Sequence, residues 1–486
     1  MGANSSQLLA QSLPTSNKAL YDLQIHAHNN IKLGRYQKAI DCYKAAILKI
    51  AEFPEIDKKT CAYLRHDLAM IYLRQNKFQL ALSSLKKAVA LSLQLDKEDV
   101  AVAQKIWSKM GLININQGFY AEAEMCYNNM LTASRVIDGD DSIAVAEALE
   151  DISLLYTKQA RHTKALNGLK KAVKIRHEKL GAEHASIADT YICIGRVYQD
   201  QKEYVAALAN YRKALGIKKG DLGKEHIETA LCFVLIGSVC YECEEYDEAL
   251  EHYNSALKIY TYLSETHEDL LCPVYKGLAQ VYIKTGRSKE AWRLLEEAEK
   301  ICRKRVGKIH LIMAEIYEII SAGYCSKNSL KKAQLYINKA LVVKRKILGD
   351  DHPLIADTHE KIGSIYKQKN NPQKALDSYS QALKIRVDKL SGNHPIVADS
   401  YWEVGVLFSQ VGNIEKAKET FQTCLQLYVK SHGRANPIYQ KVIKKLENLE
   451  KEVPSGGIAK SRKPTAEHTE FTSLDTSEID ISIKIY

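Results

Sequence analysis

Two stretches decide the fold: IGRVYQDQKEYVAALANYRKAL (194–215) and IGSIYKQKNNPQKALDSYSQAL (362–383). They align over their whole length at a separation of 168 residues, four times 42. Stepping by 42 from Gly195 meets only small residues: Ala27, Ala69, Gly111, Ser153, Gly195, Gly237, Ala279, Ser321, Gly363 and Gly405. Taking these as position 0, position +12 is alanine in all ten units, from Ala39 to Ala417. Position +19 is alanine in eight, with Met130 and Cys424 in the others. A small side chain enforced at such spacing marks a close helix–helix approach, where a larger residue costs about 1–3 kcal/mol. A fixed period of this length is the signature of a repeat architecture.

Aliphatic residues precede the small anchors (Leu68, Ile152, Ile194, Ile362), and aromatic residues follow at +3 (Tyr72, Tyr156, Tyr198, Tyr366) and +16 (Tyr43, Tyr127, Tyr211, Tyr379). This accounts for 28 Tyr in a chain with 7 Phe and 3 Trp. The spacing predicts two amphipathic helices per unit, one ending near +6 and the other running from about +9 to +24. Between units, LGAEH (180–184), LGKEH (222–226), LGDDHP (348–353) and SGNHP (391–395) place Gly after one helix and Pro at the start of the next. Gly suits a left-handed helix C-cap, and Pro suits the first helical position.

The small–aromatic–Ala–aromatic–Ala series and the L-G-x-x-H-P linker resemble the tetratricopeptide repeat, in the 42-residue form of kinesin light chains and nephrocystin-3. The resemblance covers about 430 of 486 residues. It implies an all-α, right-handed α-solenoid of about ten helix pairs over 18–436. The expected capping helix is 437–452, where Ile438, Val442, Leu446 and Leu449 share one face. Residues 1–17 read as a flexible start and 453–486 as a disordered, Ser/Thr-rich tail.

The 486 residues are 46% hydrophobic and 26% charged, as expected of a folded chain, and no apolar run reaches the roughly 18–20 residues a membrane span needs. No secretory signal opens the sequence, so the 11 Cys read as reduced thiols and the location as cytoplasmic, with a membrane-associated or ciliary site as the alternative. MGANSS fits the myristoylation pattern and makes Gly2 a lipidation candidate. A single acyl chain gives weak, reversible membrane contact.

No catalytic site, metal site or cofactor is expected. Cys240 and Cys243 form a C-x-x-C without a second Cys or His pair at zinc spacing, and Cys240 falls at the +3 core position. His184, His226, His310, His352 and His394 recur at +31, in the linkers, and read as a structural ladder. GDLGK (220–224) resembles a phosphate loop only superficially, with Glu225 where Ser or Thr would hold the metal. The net charge of +11 is spread over all units without an Arg-rich arm, which argues against nucleic acid.

By the geometry of the resembled family, positions −6, −3, +1, +4 and +5 of each first helix line a concave surface for extended peptides. The chain then reads as a non-enzymatic scaffold or adaptor for protein or peptide partners, linked to membrane, cilium or microtubule transport. The alternative is a regulatory or nucleic-acid-associated repeat protein using its basic surface. The candidate groove residues are Lys32, His66, Arg74, Asn116, Lys158 and Arg196 in the first half and Glu318, Glu360 and Trp402 in the second. An acidic segment would be steered to the first half, while Glu315, Glu318, Asp357, Glu360 and Asp399 would repel it from the second.

Overall fold

The computed structural model describes residues 15–32, 35–51, 58–93, 100–263, 270–305, 307–390, 394–431 and 437–451. Gly2 and the tail from 452 onward, with the expectations attached to them, lie outside the described residues. Within that set are 21 α-helices and no strand. Units 1 to 5 pair Thr15–Lys32 with Tyr36–Ala51, Lys58–Arg74 with Phe78–Ser92, Val100–Asn116 with Tyr120–Asp138, Ile143–Lys158 with His162–Leu180, and Ala185–Asp200 with Tyr204–Asp221. Units 6 to 8 pair Ile227–Glu242 with Tyr246–Tyr262, Leu271–Lys284 with Ser288–Arg305, and Leu311–Ser326 with Leu330–Leu348. Units 9 and 10 pair Pro353–Gln368 with Pro372–Lys389 and Pro395–Gln410 with Ile414–Ser431. Pro437–Lys451 packs on the last of these, burying Val442 and Leu449. The chain is an α-solenoid.

The small anchor and the +16 residue are matched in volume. At Gly111, Gly195 and Gly363 a Cβ would stand 2.4–2.5 Å from the ring of Tyr127, Tyr211 or Tyr379. Where the anchor is Ser153 or Ser321, the +16 residue is Leu169 or Ile337. The freed space takes the serine Oγ, which donates to the Ala165 or Ala333 carbonyl at 3.1 and 2.8 Å. In units 2 to 10 the chain reverses at +7 in the left-handed region, from Asn76 (φ 55°) through Gly118 (φ 73°) to Gly412 (φ 82°). The next N–H closes back on the +3 carbonyl, as in Lys77 to Tyr72 (2.8 Å) and Arg161 to Tyr156 (2.7 Å). That six-to-one bond offsets the roughly 1–2 kcal/mol a non-glycine residue loses there.

The linker glycines differ from the expectation. Gly181 and Gly349 have φ 85° and 81° but ψ 163° and 176°, extended rather than helical. This region is open essentially to glycine alone, so the constraint is stricter than a left-handed cap. The linker histidines cap the following helix: Nδ1 accepts the backbone N–H two residues on, at 3.0–3.3 Å, in His184, His226, His310, His352 and His394.

Three of these histidines do more. His352 Nε2 donates to the carbonyl of Asn116 at 2.6 Å, 236 residues away. His310 meets the Arg74 carbonyl and His394 the Lys158 carbonyl, at the same separation. The solenoid therefore comes round on itself every six units, with units 8, 9 and 10 seated on units 2, 3 and 4. The start of one first helix meets the end of another, an arrangement in which the helix dipoles attract. Leu311, Ile347 and Leu348 pack against the core of the first units, and the Lys389 ammonium lies 5.6 Å from the Phe119 ring centre. Burial lowers the pKa of all three histidines, that of His352 to about 4. A neutral ring with its proton on Nε2 satisfies both bonds of His352.

Candidate functional site

The first helices form the inner wall, and its charges are organised by a position that the repeat pattern does not advertise. At +23 of the second helix stand Arg176, Lys218, Lys344 and Arg386, all buried. Each reaches carboxylates on the first helix of its own unit, the next, or both. Arg176 holds Glu150 through two nitrogens, with Thr190 Oγ1 at 2.7 Å. Lys218 lies between Asp189 (2.7 Å) and Glu228. Lys344 pairs with Glu318 and donates to Thr358 Oγ1 at 2.9 Å. Arg386 binds Asp357 (2.8 Å), Glu360 and Ser400 Oγ (2.8 Å). The Lys218–Glu228 pair and the hydroxyl contacts to Thr190, Thr358 and Ser400 join each unit to the next, and removing one partner of a buried pair such as Arg176–Glu150 costs about 3–5 kcal/mol.

This changes the charge reading of the second half. Glu318 is not an exposed groove carboxylate; only 10% of its side chain is accessible, and both Lys344 and Lys361 bind it. Burial works to raise its pKa, but the two lysines together hold it below the usual value. Glu315 is paired with Lys276, Asp357 and Glu360 with Arg386, and Asp399 accepts from the Tyr428 hydroxyl. The acidic field expected over units 8 to 10 is therefore largely neutralised from within the array.

Arg74, Asn116 and Lys158 are exposed at +5, on the edge where their carbonyls receive the linker histidines. Arg196 is exposed on unit 5. His66 is half-buried, its Nδ1 3.1 Å from Asp67. Trp402 leans on Phe421 at 5.5 Å and so belongs as much to the terminal core as to the groove. The side chain of Lys32 lies outside the described residues.

A concavity of about 670 Å³ runs along units 6 to 9. Its floor includes Ile283, Ile319, Ala322 and Ile365. Two ladders of 42-residue spacing cross it: Gln280–Ala322–Ser364 at +1 and Lys284–Ser326–Gln368 at +5. Apolar floor, amides, hydroxyls and a lysine together suit an extended chain that offers both side chains and backbone groups.

Sequence reasoning missed a second cluster. Glu248 and His252, one turn apart on the second helix of unit 6, stand beside Cys240, and their ligand atoms all lie within 4.8 Å of one another. Cys243, the other half of the C-x-x-C, is not in this triangle. The signal was present as Cys in place of Tyr at +3, but the partners become visible only once the two helices are packed.

A tetratricopeptide repeat profile matches residues 19–94, 102–178, 186–262, 234–304 and 312–388, and another profile of that repeat matches 398–428. Among solved structures, BtubC from P. vanneervenii is similar at 16% identity and TM-score 0.36, over 55% of this chain and 98% of that one. The apo form of RapI is similar at 16% identity and TM-score 0.43, over 59% of this chain and 98% of that one. A putative kinesin light chain repeat protein of Podospora anserina is similar at 20% identity and TM-score 0.35, over 41% and 94%. Comparison with curated proteins gives no match. No helix among the described residues is long and apolar enough to cross a membrane.

Proposed function

Because the chain belongs to the tetratricopeptide repeat family, and so is a protein-interaction scaffold, we propose that it binds an extended peptide segment along the inner wall of units 6 to 9. The observation that carries this is the pair of 42-residue ladders crossing one apolar-floored concavity. The peptide's apolar side chains sit over Ile283, Ile319 and Ile365, and Gln280 and Gln368 meet its backbone. Exposed Arg74, Lys158 and Arg196 in the first half favour an acidic flank. Reversible recruitment to a membrane through a myristoyl group on Gly2 belongs to the same proposal and stands on the MGANSS pattern alone.

Selecting ligands from a library of extended peptides on the full chain tests the groove. Ala322→Arg, which fills the concavity, should weaken the selected peptides at least tenfold. Leu335→Arg, on the second helix of the same unit and outside the concavity, should leave them within twofold. Peptides indifferent to Ala322→Arg would place the binding surface elsewhere.

A further inference from the structure

The +3, +11 and +15 residues of a unit meet where its two helices come together, and their chemistry can be followed along the array. In units 8, 9 and 10 the +3 residue is aromatic and the +11 residue is a lysine lying over it: Lys332 over Tyr324 (5.4 Å), Lys374 over Tyr366 (5.8 Å) and Lys416 over Phe408 (5.8 Å). Unit 6 inverts this. The ring is replaced by the thiol of Cys240, the ammonium by the carboxylate of Glu248, and +15 is His252. Around them the run ECEEYDEALEH (242–252) adds Glu242, Glu244, Glu245, Asp247 and Glu251, a field that draws cations. Where units 8 to 10 carry a cation of their own, this one offers ligands for one.

We propose that Cys240, Glu248 and His252 form a binding site for a divalent transition-metal ion of the zinc type. One thiolate, one imidazole and one carboxylate are the ligand types such ions take, with a fourth position left to solvent. The spacing agrees: Cys240 Sγ and Glu248 Oε2 are 4.0 Å apart, and a tetrahedral ion at ordinary bond lengths holds sulfur and oxygen about 3.6 Å apart. The ligand atoms all lie within 4.8 Å of one another, so side-chain rotations of up to about an ångström close the site. Glu248 and His252 share one helix face at i, i+4, and the His252 ring is held by stacking on Phe233 at 5.9 Å.

Burial lowers the pKa of His252, which favours the neutral ring that an ion binds. Burial raises the Cys240 thiol to about 11, so the ion must displace that proton. Binding forms the S–metal bond, breaks S–H and releases one proton to solvent, and affinity therefore rises with pH. The competitor is Arg212 of unit 5, whose guanidinium lies 3.9 Å from Glu248.

Cobalt(II) titrated into the reduced full-length chain tests this directly, with absorption as the readout. One ion per chain should bind with a near-ultraviolet thiolate-to-metal band, and zinc(II) should displace it. Cys240→Ser should abolish the band. Glu248→Gln, at a half-exposed position where folding is not at stake, and His252→Ala should each weaken binding at least tenfold. Cys243→Ser should leave affinity within twofold. Arg212→Ala should strengthen binding severalfold, because it frees Glu248. A band that survives Cys240→Ser, binding spread over other thiols, no band at all, or weaker binding in Arg212→Ala would overturn the assignment.

Discussion

His226 and His352 occupy the same place in the repeat and cap the next helix in the same way, yet they live in different surroundings. His226 caps its helix, Nδ1 accepting from the Glu228 N–H at 3.2 Å, and makes no second bond among the described residues. His352 is 5% exposed, clamped between its own helix and the last carbonyl of a helix 236 residues earlier. One residue type at one repeat position thus has two roles, and the superhelix rather than the unit decides which. The bond across the turn uses a backbone carbonyl, so it asks nothing of the side chain it meets: Arg74, Asn116 and Lys158 serve equally.

The largest effect expected from breaking this contrast is on shape. Replacing His310, His352 and His394 together by Ala removes three caps, each worth about 0.5–2 kcal/mol, and strands three carbonyls at about 1–3 kcal/mol apiece until water reaches them. The turns should separate, and small-angle scattering should report a longer particle. The His184→Ala, His226→Ala double variant should lose about 1 kcal/mol per cap in denaturant titration with an unchanged scattering profile. Equal behaviour of the two variants would mean that the contacts between turns contribute nothing.

Acid should act on the same contrast more gently. The pKa of His352 is depressed in the folded state, from 6.5 to about 4. Its contribution is therefore complete above about 6.5 and is lost as pH falls towards 4. The full span is on the order of 3 kcal/mol. Burial is the main cause; the Asn116 carbonyl and Asp357 work against it, while Lys344 and Lys389 add to it. Protonation also turns Nδ1 into a donor, which cannot cap Leu354. Hydrogen exchange should show the ends of the first helices of units 2 to 4 opening between pH 6.5 and 4. Protection there that is indifferent to pH would refute the reading.

The smallest effect is a matched pair of glycines at +7. Gly118 and Gly286 both have positive φ (73° and 79°), but a Cβ at Gly118 would stand 3.1 Å from Pro353 Cδ while one at Gly286 meets nothing. Both alanine variants should lose about 1 kcal/mol to backbone strain. Only Gly118→Ala should also loosen the contact between turns, seen as faster exchange at Pro353–Gln368.

The repeat was legible in the sequence because its small positions recur without interruption. The contact between turns was not, since superhelical pitch sums small rotations over six units and leaves no mark within any one of them. The +31 histidines were visible as a ladder, but their second partner was not. Nothing in the spacing singled out Arg176, Lys218, Lys344 and Arg386, because a long cation can lie along a helix and bury its head, and spacing says nothing about its direction. Glu318 and Glu360 read as free acidic groups from the sequence, because their partners Lys344 and Arg386 come from second helices 26 residues further on.

The matched volumes at positions 0 and +16 bear on how such a chain can exchange sequence between its own units. A crossover inside a unit that joined the Ser321 helix to the Tyr379 helix would press a hydroxyl into a ring. The reverse junction would leave Gly363 facing Ile337 across a void. A crossover in the linker carries both members of the pair intact, so the unit that can be duplicated or deleted without repacking is the whole 42-residue cassette. Loss of one cassette between the two turns would leave each linker histidine facing the next +5 carbonyl along. The superhelix can therefore re-register by one unit, as a thread does when a screw is shortened.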